Sequence, residues 1–195
     1  MKKRVLKYRN LLFLLVIPFL SSCGYNSMVS KEEAVTSQWA QVQNVYQRRA
    51  DLIPNLVNTV KGYADFEKST LTAVIEARAK ATSVNIDASK LNAKSMKAFQ
   101  EAQDGLRSSL SKLLVVAEQY PNLKANQNFL ELQAQLEGTE NRITVERMKF
   151  NEATQDFNSY IRKFPQIMFS KMFGFQTKPY FEAAQGSEKA PEVKF

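Results

Sequence analysis

Apolar positions recur at helical spacing along most of this chain. Val35, Trp39, Val42, Tyr46, Ala50 and Ile53 advance by steps of three and four, which places them on one face of a helix. Ser30 followed by Glu33 has the capping-box pattern at the start of that stretch. Pro54 stands three residues after Asp51, a cap-forming type, so this point either opens a new helix or kinks a continuous one. Leu56, Val60, Tyr63 and Phe66 continue the stripe, with Leu71, Val74, Ile75 and Arg78 beyond. The polar stretch 81–89 reads as a loop. A third helix is expected over 89–119, with Leu91, Met96, Phe99, Leu106, Leu110, Leu113 and Leu114 on its core face and Tyr120-Pro121-Asn122 as its stop. The fourth runs from about Lys124 to Phe164, through Phe129, Leu132, Leu136, Ile143, Phe150, Phe157 and Ile161. Such a helix would be roughly 60 Å long, a length suited to a bundle. Residues 167–175 read as a short apolar helix stopped by Gly174. Strand alternation and Asn-Gly or Asp-Gly turns are missing. The pattern predicts an all-α fold, an antiparallel bundle of about four long helices plus a short C-terminal helix.

The first 23 residues follow a different pattern. Lys2, Lys3, Arg4, Lys7 and Arg9 come with no acidic neighbour, then an apolar run from Leu11 to Leu20, then Ser21-Ser22-Cys23. This is the layout of a secretory signal. The run is too short to span a bilayer, which needs roughly twenty apolar residues. Leu20-Ser21-Ser22-Cys23 resembles the bacterial lipobox, in which cleavage falls between Ser22 and Cys23 and the thiol receives a diacylglycerol. Cys23 is the only thiol in the chain. The domain reading is therefore a lipoprotein signal peptide over 1–22, a short tether over 23–30, the bundle over 31–184 and a mostly extended tail over 185–195. The membrane is the first partner expected, through lipidated Cys23, with the bundle on the non-cytoplasmic side of the cell envelope. Gly24 in place of an aspartate after the cysteine points to an outer membrane facing the periplasm, if the source is Gram-negative.

Charge looks at first like a nucleic-acid signal, with 27 basic against 19 acidic residues, +8 overall. Removing residues 1–22 discards five basic groups and no acidic ones, which leaves +3. No nucleic-acid partner is expected. The chain has no histidine, so Ser-His and Cys-His pairs, Glu-x-x-His metal sites and the commonest neutral-pH base are unavailable. Its six glycines are scattered, so no Gly-rich phosphate loop exists. Catalytic residues, metal and cofactor are all expected to be none.

Polar residues on apolar stripes are the remaining chemistry. Glu140 and Arg147 are two turns apart, as are Asn151 and Asn158, so each pair shares nearly one helix face. Arg49, Asp51 and Asn55 are the short-range counterpart, and Arg48 and Asn141 join the set. These nine residues read either as an inter-helix network that fixes register or as a pocket for a ligand or partner. The aromatic C-terminal region also has two readings. It closes the end of the bundle, or it exposes a patch to a partner or a membrane surface.

The run from Tyr46 to Val57 (Tyr-Gln-Arg-Arg-Ala-Asp-Leu-Ile-Pro-Asn-Leu-Val) resembles the LemA family of bacterial membrane-associated proteins. So do Val60-Lys61-Gly62-Tyr63-Ala64, Tyr120-Pro121, Thr139-Glu140-Asn141, Gly174-Phe175 and Tyr180-Phe181. The resemblance implies an antiparallel helical bundle, N-terminal membrane attachment and no established enzymatic activity. Phe66 departs from the family's usual histidine, and the apolar run ending at Cys23 is shorter than the uncleaved span of many members. The resulting expectation is a non-enzymatic, lipid-anchored envelope protein acting as an interaction or scaffold module. Its partner would be another envelope protein. The alternative is a carrier or sensor for a small apolar ligand held between the helices.

Overall fold

In the computed structural model, helix α1 runs without a break over Lys2–Lys61. The structure describes residues 2–63 and 66–182, with side chains from Gly24 onward. Five further helices follow: α2 Lys68–Ser83, α3 Ala93–Ala117, the short α4 Pro121–Lys124, α5 Gln127–Arg162 and α6 Gln166–Phe173. No strand occurs among the described residues. The fold is all-α, as the spacing predicts.

Pro54 lies inside α1, not at a break. A proline there has no N–H for the carbonyl four residues back, which is Ala50. Arg78 of α2 supplies the missing donor: its Nε donates to the Ala50 carbonyl oxygen at 2.8 Å. A cross-helix hydrogen bond thus replaces the one that proline removes.

Several boundaries move. Residues 24–30, expected as a tether, are helical, and Met28 is already fully buried. Ser30 therefore caps nothing, because the apolar stripe begins before it. Helix α3 starts at Ala93, since Asn92 and Ser95 exchange side-chain and backbone bonds in a capping box; residues 88–90 form a separate 3-10 turn. Asn126 caps α5 by accepting from the Phe129 N–H at 3.1 Å, which delays the fourth helix to Gln127. That helix ends at Arg162, and Phe164 beyond it is 80% exposed instead of core. Ile75 is exposed as well. The tail 185–195 and Cys23 lie outside the residues whose side chains are described.

Helices α1 and α5 run antiparallel, as Lys31–Asp156, Gln38–Glu146 and Arg49–Glu140 show. Helix α2 runs back along the second half of α1, and α3 turns again beside α2. The core has two parts. The distal part gathers Ile53, Leu56 and Val60 of α1 with Leu71, Val74, Leu106, Leu113 and Leu136. The proximal part, toward residue 24, joins Val35, Trp39 and Tyr46 to Phe99, Phe150, Phe157 and Phe181.

Candidate functional site

Where the two core parts meet, one polar layer crosses all four long helices. Arg49 of α1 is 3% exposed. Its Nη1 donates to Glu140 Oε2 of α5 at 2.9 Å, and its Nη2 donates to the carbonyl and Oε1 of Gln103 in α3 at 3.1 and 2.8 Å. Gln103 Nε2 in turn donates to the Ala81 carbonyl of α2 at 3.3 Å. Arg107 Nε approaches the other Glu140 oxygen at 3.3 Å. A buried guanidinium needs such partners, and they fix the axial register of the helices that supply them. The guanidinium also lies over the Tyr46 ring, 5.1 Å from its centroid. Burial pushes the Tyr46 phenol above its ordinary pKa, against the pull of Arg147 and Arg49, so the hydroxyl stays protonated at neutral pH.

Lower on α5, Arg147, Asn151 and Asn158 grip the extended C-terminal segment. Asn158 donates to the Lys178 carbonyl and accepts from its N–H, both at 2.8 Å. Asn151 makes the same pair of bonds with Phe181, at 3.1 and 2.9 Å. Arg147 donates to the Glu182 carbonyl at 2.9 Å, as does Gln100 of α3 at 3.1 Å. The spacing has a simple basis. Seven helical residues rise roughly 10.5 Å. Three extended residues cover roughly 10 Å. Asparagines seven apart therefore meet backbone groups three apart, with the strap antiparallel to α5. Phe181 is the payload: it packs against Trp39, Phe99 and Phe150, and the Arg147 guanidinium sits 4.8 Å from its ring centre.

The nine polar residues singled out in the sequence thus separate into three groups. Arg49 and Glu140 belong to the buried layer, and Arg147, Asn151 and Asn158 belong to the strap clasp. Arg48, Asp51, Asn55 and Asn141 are exposed and join neither; Asp51 accepts from Gln47, one turn away on the same helix. Arg48, Asp51 and Asn55 fall on the outer face of α1 because the stripe through Tyr46, Ala50 and Ile53 claims the inner one, and Asn141 lies off the Leu136, Thr139 and Ile143 stripe of α5. Gln103 and Arg107 join the layer from outside that set, and Arg78, placed on the stripe by its spacing, acts as the donor to the Ala50 carbonyl. Gln103 had a visible signal, a polar residue in step with Phe99, Leu106 and Leu110. The backbone partners of the asparagines had none.

A cleft of about 230 Å³ opens beside the Arg49 layer, lined by Arg107, Leu110, Leu114, Leu136 and Glu140. Another of about 280 Å³ lies between α1 and the end of α2, lined largely by amides such as Gln43, Asn44 and Gln47. Among the described residues, no group of three or more Cys, Asp or Glu side chains is arranged to hold a metal ion. No described helix is long and apolar enough to cross a membrane.

Fold, buried layer and strap together define a helical-bundle protein in which Arg49, Glu140, Arg147, Asn151 and Asn158 hydrogen-bond to the chain's own helices and strap. The chain belongs to the LemA family, whose model matches residues 38–195. Among relatives, Protein LemA of Metamycoplasma hominis is 26% identical over 160 residues, covering 82% of this chain and 69% of that protein. Magnetosome protein MamQ 2 of Paramagnetospirillum magneticum is 24% identical over 186 residues, covering 86% of this chain and 68% of its own. Magnetosome protein MamQ of Magnetospirillum gryphiswaldense is 24% identical over 174 residues, covering 80% and 64% respectively.

Proposed function

We propose that this protein is a non-enzymatic, lipid-anchored envelope protein that displays its bundle to another envelope protein. The observation that carries the anchor is Leu20-Ser21-Ser22-Cys23, with the chain's only thiol at the end of a short apolar run. Display, as opposed to catalysis, is favoured by what the polar groups on the helix stripes do. Arg49, Glu140, Asn151 and Asn158 spend their hydrogen bonds on the chain's own helices and strap. With no histidine in the sequence, the common nucleophile–base pairs cannot be assembled. Two or more acyl chains at ~0.8 kcal/mol per buried CH₂ give lasting attachment, whereas one would be marginal.

Two experiments test the two halves of this reading. Radiolabelled palmitate should enter the native chain and not Cys23→Ser; equal labelling of both removes the anchor. Crosslinking pull-down from native envelope should recover a reproducible partner, reduced with Cys23→Ser, and recovery of none removes the display role. The carrier reading finds about 230 Å³ beside Arg49, small against the roughly 300–1,000 Å³ of ligand pockets. It also finds about 440 Å³ beside Trp39 and Ile86, where Gln43, Asn85, Asp87 and Lys90 make the lining polar for an apolar ligand. An unchanged melting temperature across a lipid panel would dispose of it.

A further inference from the structure

Helix α6 divides its side chains unequally between the protein and the outside. Ser170 is buried, and its hydroxyl donates to the Ile161 carbonyl at 3.0 Å, which pins α6 against the end of α5. Phe169 and Phe175 pack on the proximal core. The opposite side is apolar and uncovered: Met168 is 64% exposed, Met172 66%, and Phe164 at the preceding corner 80%. Met168 and Met172 stand one turn apart on one face of α6, and Phe164 sits at the non-helical corner that precedes it. Gly174, at φ 78° in the left-handed cap, stops the helix and returns the chain to the core at Phe175. The stripe is therefore held outward by the packing behind it.

Its position says what covers it. Phe173 meets Tyr25 of α1 edge-on, ring centres 4.9 Å apart, so α6 lies beside Tyr25, three residues before Met28, the first buried residue described on α1. Tyr25 is two residues from Cys23, the proposed acylation point. Two helical residues rise roughly 3 Å. That keeps Tyr25, and α6 beside it, within the roughly 5–10 Å of the lipid surface that an interfacial helix occupies. Charge agrees: between Asp156 and Glu182 the chain has no acidic residue, and while Lys178 is paired with Glu32 at 2.7 Å, Arg162, Lys163 and Lys171 are exposed beside the stripe. Exposed methionine and phenylalanine flanked by lysine suit an anionic headgroup layer.

We infer that α6 is a second membrane contact, an interfacial helix that seats Phe164, Met168 and Met172 in the lipid surface beside the anchor. The inference rests on the anchoring at Cys23 proposed above. One acyl attachment point lets a bundle swivel; a second contact on a different helix fixes its axis relative to the bilayer. The bundle would then project its distal end away from the membrane in one orientation.

The test uses the full chain, lipid-modified and reconstituted in phosphatidylcholine–phosphatidylglycerol vesicles. Met172→Trp reports on α6, and Val115→Trp, 68% exposed on α3, reports on the distal half. Buried Trp39 stays in place and its signal is subtracted using the unsubstituted chain. Phospholipids brominated near the headgroup should quench the tryptophan at 172 at least about threefold more than that at 115, with blue-shifted emission, if the helix sits in the interface. Equal quenching in protein that floats with the vesicles overturns the inference and leaves the anchor standing. A tryptophan at 172 shielded from aqueous iodide but untouched by brominated lipid also overturns it, and assigns the stripe to a second copy or a protein partner. Protein that does not float with the vesicles overturns the anchor and the α6 contact together.

Discussion

The two halves of this bundle solve the same burial problem with different side chains. Distal to Arg49, four helices surround a core in which, among the described residues, two of fifteen members are aromatic. Proximal to it, six of fourteen are aromatic: Trp39, Tyr46, Phe99, Phe150, Phe157 and Phe181. Helix α2 has ended by Ser83, and α3 begins only at Ala93, so the proximal half has fewer backbones around its axis. Larger side chains fill the space that missing helices leave, because interiors must reach crystal-like density. The loop 84–87 and the strap complete the enclosure. Each is tied by a polar bond to a helix, Trp39 Nε1 to the Ile86 carbonyl at 2.9 Å and the two asparagines to the strap. Helix packing is enough for one half, while the other depends on a few bonds to extended chain.

The largest test of that contrast is Phe181→Ala. Deleting a buried ring should cost about 3–4 kcal/mol. The loss should be local: hydrogen exchange ought to accelerate around Trp39 and Phe150 while Leu71, Leu106 and Leu113 keep their protection. Uniform acceleration in both halves would show that the bundle is one cooperative unit and that the contrast is only compositional. Arg49→Ala comes next, at about 2–4 kcal/mol, since it leaves Gln103 and Glu140 without their buried partner. Partial exposure of Glu140 and its approach to Arg107 place the effect below that of a fully buried pair. Because the layer joins both halves, its removal should loosen both, with chemical denaturation turning from one transition into two. Retention of a single transition with full stability would show that the layer does not couple them.

Helical spacing carried the sequence reading well in the distal half and less well in the proximal one. A period of 3.6 shows which residues face inward when the neighbours are other helices, and the buried positions of α1, α3 and α5 follow it. The strap has no period to read. Lys178 and Phe181 take part through backbone groups that every residue possesses, so Asn151 and Asn158 were visible as a pair and their partners were not. Phe164 shows the same limit from the other side. It is in step with the α5 stripe, yet α5 has ended at Arg162 and Phe164 faces outward. Pro54 left two alternatives open because the deciding atom, Arg78 Nε, lies 24 residues further on in another helix.

Arg78 gives a smaller test, confined to the distal half. Arg78→Ala orphans the Ala50 carbonyl and should cost about 1–2 kcal/mol, measured by urea denaturation. In a Pro54→Ala background the restored N–H satisfies that carbonyl, so the same substitution should cost nearly nothing. A double-mutant cycle with no coupling between positions 54 and 78 would show that the carbonyl finds another donor.

Glu146 offers the smallest effect and the clearest sign. Its carboxylate accepts from Lys149 at 2.8 Å and from Gln38 of α1 at 2.5 Å, and these bonds hold its pKa below the ordinary carboxylate value. The lysine is exposed, so the contribution is modest, under about 1 kcal/mol. Because the folded pKa is the lower of the two, the unfolded chain binds more protons in the window between them. The stabilisation is complete above the ordinary carboxylate range and is lost as pH falls through the folded value. Glu146→Gln should therefore melt slightly earlier than the native chain at neutral pH, and the two curves should converge as pH falls through the folded value. Melting temperatures across that range decide the matter. A gap that stays constant with pH would mean that α1 and α5 are joined here by shape alone. The proximal half would then draw its help from charge at Lys31–Asp156 and Lys178–Glu32 and not at Glu146.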